Sequence, residues 1–395
     1  MRILIANEAR QGAGGVETYL ASLVSHLEAR GHAVALLYAN PSSETGPTRI
    51  VTGETWSVAD DGIDRAVAGA RAWRPDVCFS HNMRRLDVED AIVGAWPTVK
   101  MMHGYAGACL SGHKAFSFPS LEPCDRTCGA GCLAYFLPRR CGRLRPDSML
   151  AQYAWARRQQ ALFPRYKAMV VASDHMKREF ARYAGAPSRV TAIPLFTDGP
   201  VSSSAQRDLD VVFLGRLTPL KGADLLMDAL ADCGRSLGRP VRALIAGEGP
   251  LRGSMTAKAA ALQREGTVMA EIPGWIDGPR RDDALARALV LALPSRWPEP
   301  FGLVGLEAAR FGVPAVAFDA GGIRAWLEDG VNGILVPSSD GARGFGETLA
   351  LVLRDRTRRE ALSKRATAAS ARFTAGAHIS ALERVLDECR SPGIS

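Results

Sequence analysis

Short apolar runs alternate along the chain with segments whose apolar residues recur every three or four positions. The run Arg2 to Asn7 predicts a buried strand, and the segment after it predicts an amphipathic helix. One face of that helix carries the apolar residues Val16, Tyr19, Leu20, Leu23, Val24 and Leu27. Gly31 ends the helix, and the run Ala33 to Ala39 predicts the next strand. This order of elements is typical of a doubly wound parallel sheet.

The same pattern recurs in two series. The first series predicts further strands at Asp76 to Ser80, Thr98 to Met102, Ala168 to Ala172 and Val190 to Phe196. The second series predicts strands at Leu209 to Leu214, Arg242 to Ala246, Val290 to Leu293 and Pro314 to Phe318, and a last helix at Ala377 to Cys389. We therefore predict a first domain over 1–196, a linker over 197–208, a second domain over 209–375 and a C-terminal helix within 376–395.

Composition supports two folded domains and narrows their partners. The chain has 395 residues, of which 47% are hydrophobic and 23% charged, with a net charge of +8. This charge favours anionic ligands, but it forms no Lys/Arg block, so we expect no nucleic-acid partner. No apolar run approaches the ~20 residues of a membrane span, and the N-terminus has no signal-peptide core. We expect a cytoplasmic protein, with peripheral association at the inner face of the membrane left open.

A glycine-rich turn follows the first strand, and a histidine follows a later one. Gly12 and Gly14 fit the start of a dinucleotide fingerprint, but Glu17 occupies the third glycine position and Asn40, rather than an acid, ends the second strand. We therefore reject nicotinamide binding. Gly14 and Gly15 instead allow a ligand close to the backbone at a helix start. His103 follows a predicted strand directly, where it is either a ligand-binding or a structural residue.

Two cations, Arg216 and Lys221, lie on the turn between the first strand and first helix of the second domain. Fixed positive charge beside a helix start predicts an anion site. The turn is not a Walker loop, since its spacing differs from that motif. Two further turns follow predicted strands: Gly247-Glu248-Gly249-Pro250, and Gly274-Trp275-Ile276.

The stretch from Ser295 to Glu307 combines an apolar strand, a proline-fixed loop, two glutamates and a helix start. Glu299 lies on the loop, and Glu307 lies within the helix that follows. The backbone N–H groups of Phe301, Gly302, Leu303 and Val304 form a helix start that suits a phosphate. We interpret the stretch as a ligand site rather than as a capped surface helix.

These motifs stand in one order over residues 1–375, and in that order the chain resembles the retaining nucleotide-sugar glycosyltransferases of family four, or glycosyl transferases group 1. The Pro-Glu-Pro-Phe-Gly segment with its pair of glutamates is the most specific part of the likeness. The resemblance implies the α/β GT-B fold, with two facing Rossmann-like doubly wound domains and an active site in the cleft between them. It also implies retention of anomeric configuration, by same-face attack through an oxocarbenium-like ion pair.

The resemblance also implies roles for particular residues. Arg216 and Lys221 would hold the donor diphosphate and stabilise its charge as the sugar leaves, so that catalysis requires no metal cofactor. Glu299 would contact hydroxyls of the donor sugar, and Glu307 the ribose. The remaining donor-side contacts would come from Gly14, Gly15, His103, Gly247, Glu248, Gly274, Trp275, Ile276 and the backbone of Phe301, Gly302, Leu303 and Val304.

The partners implied are a UDP- or GDP-linked sugar and a hydroxyl acceptor, either a glycan, a lipid-linked molecule or a small molecule, in cell-surface glycan or glycoconjugate synthesis. Two alternatives remain open. One is a GT-B sugar-nucleotide 2-epimerase, and the other is a protein that binds sugar nucleotides without catalysis. An epimerase needs acid/base residues on both faces of its sugar, and the sequence offers none that we can name.

Five cysteines between positions 109 and 141 lie in a segment, about 104–145, that the family pattern does not predict. Their spacing differs from the paired C-x2-C of zinc ribbons. A structural zinc or iron–sulfur site held by Cys109, Cys124, Cys132 and Cys141, with Cys128 as a further ligand, is one interpretation. One or two disulfides are a second, and unlinked thiols a third. The segment could equally form a lid over the acceptor.

Overall fold

The computed structural model describes residues 1–12, 14–43, 48–51, 53–142, 144–183, 185, 187–199 and 207–390. These residues divide into two compact units. The first unit holds 1–114, 125–194 and 375–395, and the second holds 115–124 and 195–374. The linker predicted over 197–208 falls mostly outside the described residues.

The first unit is built on a parallel seven-stranded sheet. The strands of the first half of the chain are β1 (Arg2–Asn7), β2 (Gln11–Gly12), β3 (Ala33–Tyr38), β4 (Thr48–Arg49), β5 (Thr55–Ser57), β6 (Val77–Ser80), β7 (Thr98–Met102), β8 (Ala115–Phe116), β9 (Glu122–Pro123), β10 (Ala168–Val171) and β11 (Val190–Ala192). The sheet has the order β11-β10-β7-β6-β1-β3-β5, while β2 pairs with β4 and β8 with β9 in short antiparallel ribbons. Strands β1, β6 and β7 are therefore neighbours, and their carboxyl ends lie along one edge.

Helices flank this sheet. They are α1 (Gly15–Ala29), α2 (Val58–Asp61), α3 (Ile63–Ala72), α4 (Leu86–Ala95), α5 (Gly131–Phe136), α6 (Pro146–Leu162) and α7 (Asp174–Ala181), with single 3-10 turns at Phe163–Arg165 and Pro187–Arg189. The predicted α1 is confirmed, with Tyr19, Leu20 and Leu23 among its buried residues. Within the described ranges, no helix combines the length and apolar character needed to cross a membrane.

The second unit repeats the architecture with a parallel six-stranded sheet of order β14-β13-β12-β15-β16-β17. Its strands are β12 (Leu209–Leu214), β13 (Val241–Ala246), β14 (Val268–Gly274), β15 (Ala288–Leu293), β16 (Ala315–Phe318) and β17 (Gly333–Val336). Its helices are α8 (Ala223–Leu237), α9 (Arg252–Arg264), α10 (Gly278–Arg287), α11 (Leu303–Arg310), α12 (Gly341–Arg354) and α13 (Arg356–Ser370), with 3-10 turns at Pro219–Lys221, Gly322–Ala325 and Ser338–Asp340. The sequence prediction of β12 and of the start of α11 is confirmed.

The last helix, α14 (Ala375–Cys389), belongs to the first unit. It buries Ile379, Leu382 and Leu386. Glu383 on this helix accepts hydrogen bonds from Arg30 at 2.6 Å and from His32 at 2.8 Å. The buried apolar residues of α14 and the hydrogen bonds of Glu383 thus hold this helix next to α1.

The cysteine-rich segment differs from the sequence prediction, which placed all of it in the first domain. Residues 115–124 group with the second unit, and the residues on either side group with the first. The first-unit part has a small core formed by Leu110, Cys128, Phe136 and Ala156. A buried ion pair, Lys114 Nζ to Glu179 at 2.8 Å, ties it to α7. No local feature of the sequence distinguishes residues 115–124 from the residues on either side.

The two ends of α8 give a matched test of backbone strain. Gly222 precedes the helix at φ +69°, and Gly238 follows it at φ +67°. A Cβ on Gly222 would lie 1.9 Å from the Pro294 carbonyl oxygen, whereas a Cβ on Gly238 would have no atom within 4 Å. We expect Gly238→Ala to cost about 1 kcal/mol for the left-handed backbone alone. Gly222→Ala should cost about 3 kcal/mol, because overpacking is added. Urea unfolding measures both, and equal losses would contradict the steric role of Gly222.

Candidate functional site

The carboxyl ends of β12, β15 and β16 lie side by side in the second sheet, and the loops after β12 and β15 carry predicted site residues. Arg216 and Lys221 follow β12, Glu299 follows β15, and Gly321 and Gly322 follow β16. We call this set the second-sheet site. Ligands of open α/β sheets bind at this edge.

Glu299 is the central residue of the second-sheet site. Its side chain is 3% exposed, and its Oε1 accepts hydrogen bonds from Lys221 Nζ at 2.6 Å and from Trp297 Nε1 at 2.9 Å. The Lys221 ammonium also lies 5.3 Å from the centroid of the Trp297 ring. Within the described part of the chain, Glu299 Oε2 accepts no hydrogen bond. Oε1 is thus occupied by two hydrogen-bond donors, and Oε2 remains available to a hydroxyl group.

The backbone of Glu299 is fixed by the loop after β16. The Gly322 N–H donates to the Glu299 carbonyl at 2.6 Å, and a short parallel bridge joins Glu299 to Gly321. Gly321 has φ +64°, and a Cβ there would lie 2.5 Å from the Glu299 backbone. The pair Gly321 and Gly322 therefore brings two strand-end loops together.

Arg216 differs from Lys221, although both lie on one turn. Its side chain is exposed and, among the described residues, has no hydrogen-bond or ion-pair partner. Two hydroxyl oxygens lie close in sequence to these charged residues, Thr218 Oγ1 and Ser295 Oγ. Both are buried and have no hydrogen-bond partner among the described residues. Polar atoms of this kind are costly to leave unpaired, so they mark places where a ligand or water completes the hydrogen bonding.

The start of α11 offers backbone donors. Gly302 precedes it in the left-handed conformation, and no side chain caps the helix. Phe301 is 1% exposed and packs against Phe373, with ring centroids 6.0 Å apart. Leu303 and Val304 are half-buried in its first turn. An anion at the start of α11 would therefore be bound by backbone N–H groups rather than by side chains, as the sequence predicted.

Glu307 has a partner that the motif did not indicate. Arg281 on α10 donates from Nη1 to Glu307 Oε1 at 3.0 Å. Burial raises the pKa of the Glu307 carboxyl above its usual value, and the Arg281 charge opposes that rise. The two glutamates of the motif therefore have separate cations, Lys221 for Glu299 and Arg281 for Glu307.

The other predicted donor-side residues lie at the ends of β13 and β14. A Cβ on Gly247 would lie 1.8 Å from the Gly215 carbonyl oxygen, so this glycine permits close packing of two turns. Glu248 pairs with Arg252 at 2.9 Å and accepts a hydrogen bond from the Trp275 N–H at 3.4 Å. Gly274 has φ +86°. Trp275 is 60% exposed and Ile276 half-buried, which leaves an aromatic face open to a ligand.

A second group of residues, which we call the first-sheet site, lies at the strand ends and helix start of the first unit: Gly14, Gly15, Tyr19, His81 and His103. Gly14 and Gly15 begin α1 directly after β1 and β2, and a Cβ on Gly15 would meet no atom within 4 Å. His103 follows β7 and is half-buried. Its Nε2 lies 3.0 Å from His81 Nδ1. The Tyr19 ring meets the His103 ring edge-on at 5.7 Å.

His81 is the residue of this site that the sequence prediction missed. It follows β6 as His103 follows β7, and these strands are neighbours. The same strand-end position could have indicated it. Burial lowers the pKa of His103 to about 3 and that of His81 well below its usual value, with the Lys100 charge adding to both shifts. Both imidazoles are therefore neutral at physiological pH.

The structure forms no disulfide among the eight cysteines, all of which lie in the described residues. Among the described residues, no group of three or more His, Cys, Asp or Glu could hold a metal, so the structure gives no support to the zinc or iron–sulfur interpretation. The thiols have other neighbours instead. Cys109 accepts from the Lys114 N–H at 3.4 Å and Cys141 donates to the Tyr135 carbonyl at 3.8 Å, while Cys132 Sγ lies 3.8 Å from the Thr127 carbonyl oxygen. Cys124 is half-buried.

Cys128 and Cys132 do come together. The hydrogen bond from the Cys128 thiol lowers the pKa of Cys132 to about 6, with Arg126 and Lys114 contributing positive charge. The same contact and burial raise the pKa of Cys128. One thiol of the pair is thus a partly exposed thiolate at neutral pH, and the other is its buried hydrogen-bond donor.

Comparison with known families matches both halves of the chain. A family model described as Glycosyltransferase Family 4 matches residues 13–198, and one described as Glycosyl transferases group 1 matches residues 198–369. The chain belongs to glycosyltransferase family four. This confirms the family predicted from the sequence motifs.

Solved structures confirm that this family-four chain has the two-domain α/β GT-B fold. The Anabaena protein HepE, in complex with UDP and glucose, superposes with a TM-score of 0.71 at 18% identity over 98% of this chain and 100% of that one. Sucrose-phosphate synthase of Thermosynechococcus elongatus gives a TM-score of 0.69 at 17% identity over 98% of each chain.

Curated relatives are named D-inositol 3-phosphate glycosyltransferase. The protein of Segniliparus rotundus is 27% identical over 92% of this chain and 82% of its own length. That of Nocardia farcinica is 33% identical over 42% of this chain, a match that spans only 37% of the relative.

Glu307 makes stability depend on pH in a defined direction. Its folded-state pKa lies above the unfolded value, so the stability it confers when protonated is present at low pH and is lost as pH rises through the folded pKa. We expect Glu307→Gln to gain unfolding free energy relative to the wild type between about pH 4 and pH 7. Urea titrations across this range measure it. The exposed Glu347→Gln serves as control, and parallel curves for wild type and Glu307→Gln would contradict the assignment.

Cys132 should be the fastest-alkylated thiol near neutral pH, since the thiolate is the nucleophile. Its reaction with iodoacetamide, followed by peptide mass spectrometry, should rise with an inflection near pH 6. Cys128→Ala removes the hydrogen bond and should move this inflection toward about pH 8.5, the value of an unperturbed thiol. Half-buried Cys389, whose pKa is raised by burial, provides the internal control. An unchanged inflection in Cys128→Ala would contradict the paired arrangement.

Proposed function

We propose that this protein is a retaining glycosyltransferase that moves a hexosyl group from a nucleoside-diphosphate sugar to a hydroxyl acceptor in cell-surface glycan or glycoconjugate synthesis. The observation that carries the proposal is the Lys221–Glu299 pair at 2.6 Å, beside exposed Arg216 and the uncapped start of α11. This arrangement puts two cations, a hydroxyl-binding carboxylate and backbone donors at one sheet edge.

The chemistry needs these groups. Departure of a nucleoside diphosphate from the sugar's anomeric carbon builds negative charge on the leaving oxygen. Fixed cations stabilise that charge without reorganising, and we assign this role to Arg216 and Lys221. Glu299 already has its Oε1 occupied by Lys221 and Trp297, so its Oε2 is the atom we assign to a donor-sugar hydroxyl. On this assignment catalysis needs no metal cofactor.

The rest of the donor fits other predicted residues of the second unit. We assign the ribose hydroxyls to Glu307, the phosphates to the backbone N–H groups at the start of α11, and the base to the exposed face of Trp275. We favour UDP as the nucleotide, since the similar HepE structure is in complex with UDP and glucose. His103 of the first-sheet site is assigned to a hydroxyl of the donor sugar.

For the acceptor, the curated relatives' names make D-inositol 3-phosphate the first compound to test. Its phosphate would suit the net charge of +8. Lipid-linked and glycan acceptors are the other arms of that test. A lipid-linked acceptor would require peripheral association with the membrane surface.

Arg216 gives the sharpest test, because its side chain makes no hydrogen bond or ion pair within the described residues and its removal should leave the fold intact. A thermal-shift screen with UDP-, GDP- and ADP-sugars first identifies the donor, since a ligand of the folded state raises the midpoint. Arg216→Ala should then lower nucleotide release with that donor and acceptor by about 100-fold, while the unfolding midpoint stays unchanged. Arg365→Ala on α13, an exposed arginine distant in sequence, is the matched control.

The outcomes separate catalysis from binding. A donor that raises the midpoint but is neither hydrolysed nor transferred with any acceptor would indicate a binding protein. Equal turnover in Arg216→Ala and Arg365→Ala would overturn the diphosphate assignment. Inversion of the anomeric configuration in the product, read by NMR, would overturn the retaining mechanism.

A further inference from the structure

Two histidines of the first-sheet site share one hydrogen bond. His81 Nδ1 and His103 Nε2 are 3.0 Å apart, and the two rings lie 5.3 Å apart between centroids with planes inclined by 29°. His81 is 1% exposed, and its Nε2 is buried without a partner. In the described part of the chain, His103 Nδ1 has no hydrogen-bond partner either, but His103 is only half-buried.

The backbone behind this pair is held firmly. The His81 N–H donates to the Ala6 carbonyl at 2.8 Å, and the His81 carbonyl accepts from Lys100 Nζ at 2.5 Å. Lys100 in turn pairs with Glu89 at 3.0 Å, and both side chains are buried. Glu89 also accepts from Ser80 at 2.8 Å. The His81 backbone is therefore held by hydrogen bonds at its N–H and at its carbonyl, and its ring packs edge-on against Phe79 at 4.3 Å between centroids with Nδ1 facing His103.

Only one proton lies between the two rings, and its position decides the tautomer of both. If His103 donated from Nε2, His81 would carry its own proton on Nε2, and that N–H would be buried without an acceptor. If His81 donates from Nδ1, its Nε2 is an unprotonated lone pair. Buried N–H groups without acceptors are rarer in proteins than under-satisfied acceptors. The Lys100 charge further opposes any second proton on either ring.

The geometry points to His81 as a positioning residue that donates from Nδ1 to His103 Nε2 and thereby fixes His103 as a neutral hydrogen-bond donor through Nδ1–H. The group it would serve is a hydroxyl oxygen of the donor sugar, which rests on the function proposed above. A fixed neutral donor can bind a hydroxyl without adding a charge to the site. His81 touches no substrate and acts only through His103.

The tautomer can be read without any activity. The full chain labelled with 15N-histidine is studied by long-range 1H–15N correlation at neutral pH, with His81→Asn and His103→Phe used for assignment. We expect the nitrogen-bound proton of both His81 and His103 on Nδ1. A proton on Nε2 of His103 would overturn the inference, whether or not the protein proves to be a transferase.

A pair of variants tests the consequence for binding. Asn places an amide N–H near the position of imidazole Nδ1, so His81→Asn should retain transfer within about threefold, whereas His81→Leu should lose about tenfold in kcat/KM for the sugar donor. Affinity for UDP alone should be equal in both, since UDP lacks the transferred sugar whose hydroxyl His103 would bind. Equal loss in both variants, or a parallel loss of UDP affinity, would indicate a merely structural role. Absence of turnover in the wild type would instead contradict the proposed function and would not affect the tautomer result.

Discussion

The buried carboxylate of Glu299 is the constraint around which the second unit's strand-end loops are arranged. A carboxylate that is 3% exposed needs a counter-charge and hydrogen bonds, and Lys221 and Trp297 supply them. Lys221 comes from the loop after β12, while Gly322 fixes the Glu299 backbone from the loop after β16. Three loops therefore meet at one residue. On the same turn, the Arg216 side chain has no hydrogen-bond or ion-pair partner among the described residues.

Much of this arrangement follows from the sequence. Apolar runs predict β1, β7 and β12 to the residue, because a strand buried on both faces is a continuous apolar run. Parallel strands place their following residues on one edge, so motif residues could be assigned to that edge. The partners could not be predicted. Arg281 reaches Glu307 across 26 positions and Lys221 reaches Glu299 across 78, and neither pairing has a local signal.

The cysteine-rich segment shows the limit of spacing arguments more sharply. A thiol's chemistry depends on what surrounds it, and five cysteines within one segment met different surroundings. Cys128 is buried in an apolar core, while Cys132 lies partly exposed beside it with cations nearby. Lys114 holds the segment from within, since its buried ammonium pairs with Glu179 and also donates to the Arg126 carbonyl at 2.8 Å. None of these contacts could be predicted from where the cysteines stand along the chain.

The polar groups at the two sheet edges differ in their charge. The second-sheet site carries formal charges, which suit the anionic part of a nucleotide sugar. The first-sheet site excludes charge, because burial and Lys100 lower the pKa of both histidines. A positively charged imidazole there would attract phosphate as well as hydroxyl groups and would therefore distinguish a sugar from a diphosphate less well. A neutral donor binds a hydroxyl and leaves the diphosphate to the cations. On the proposed function, this difference in charge assigns sugar and phosphate to different residues.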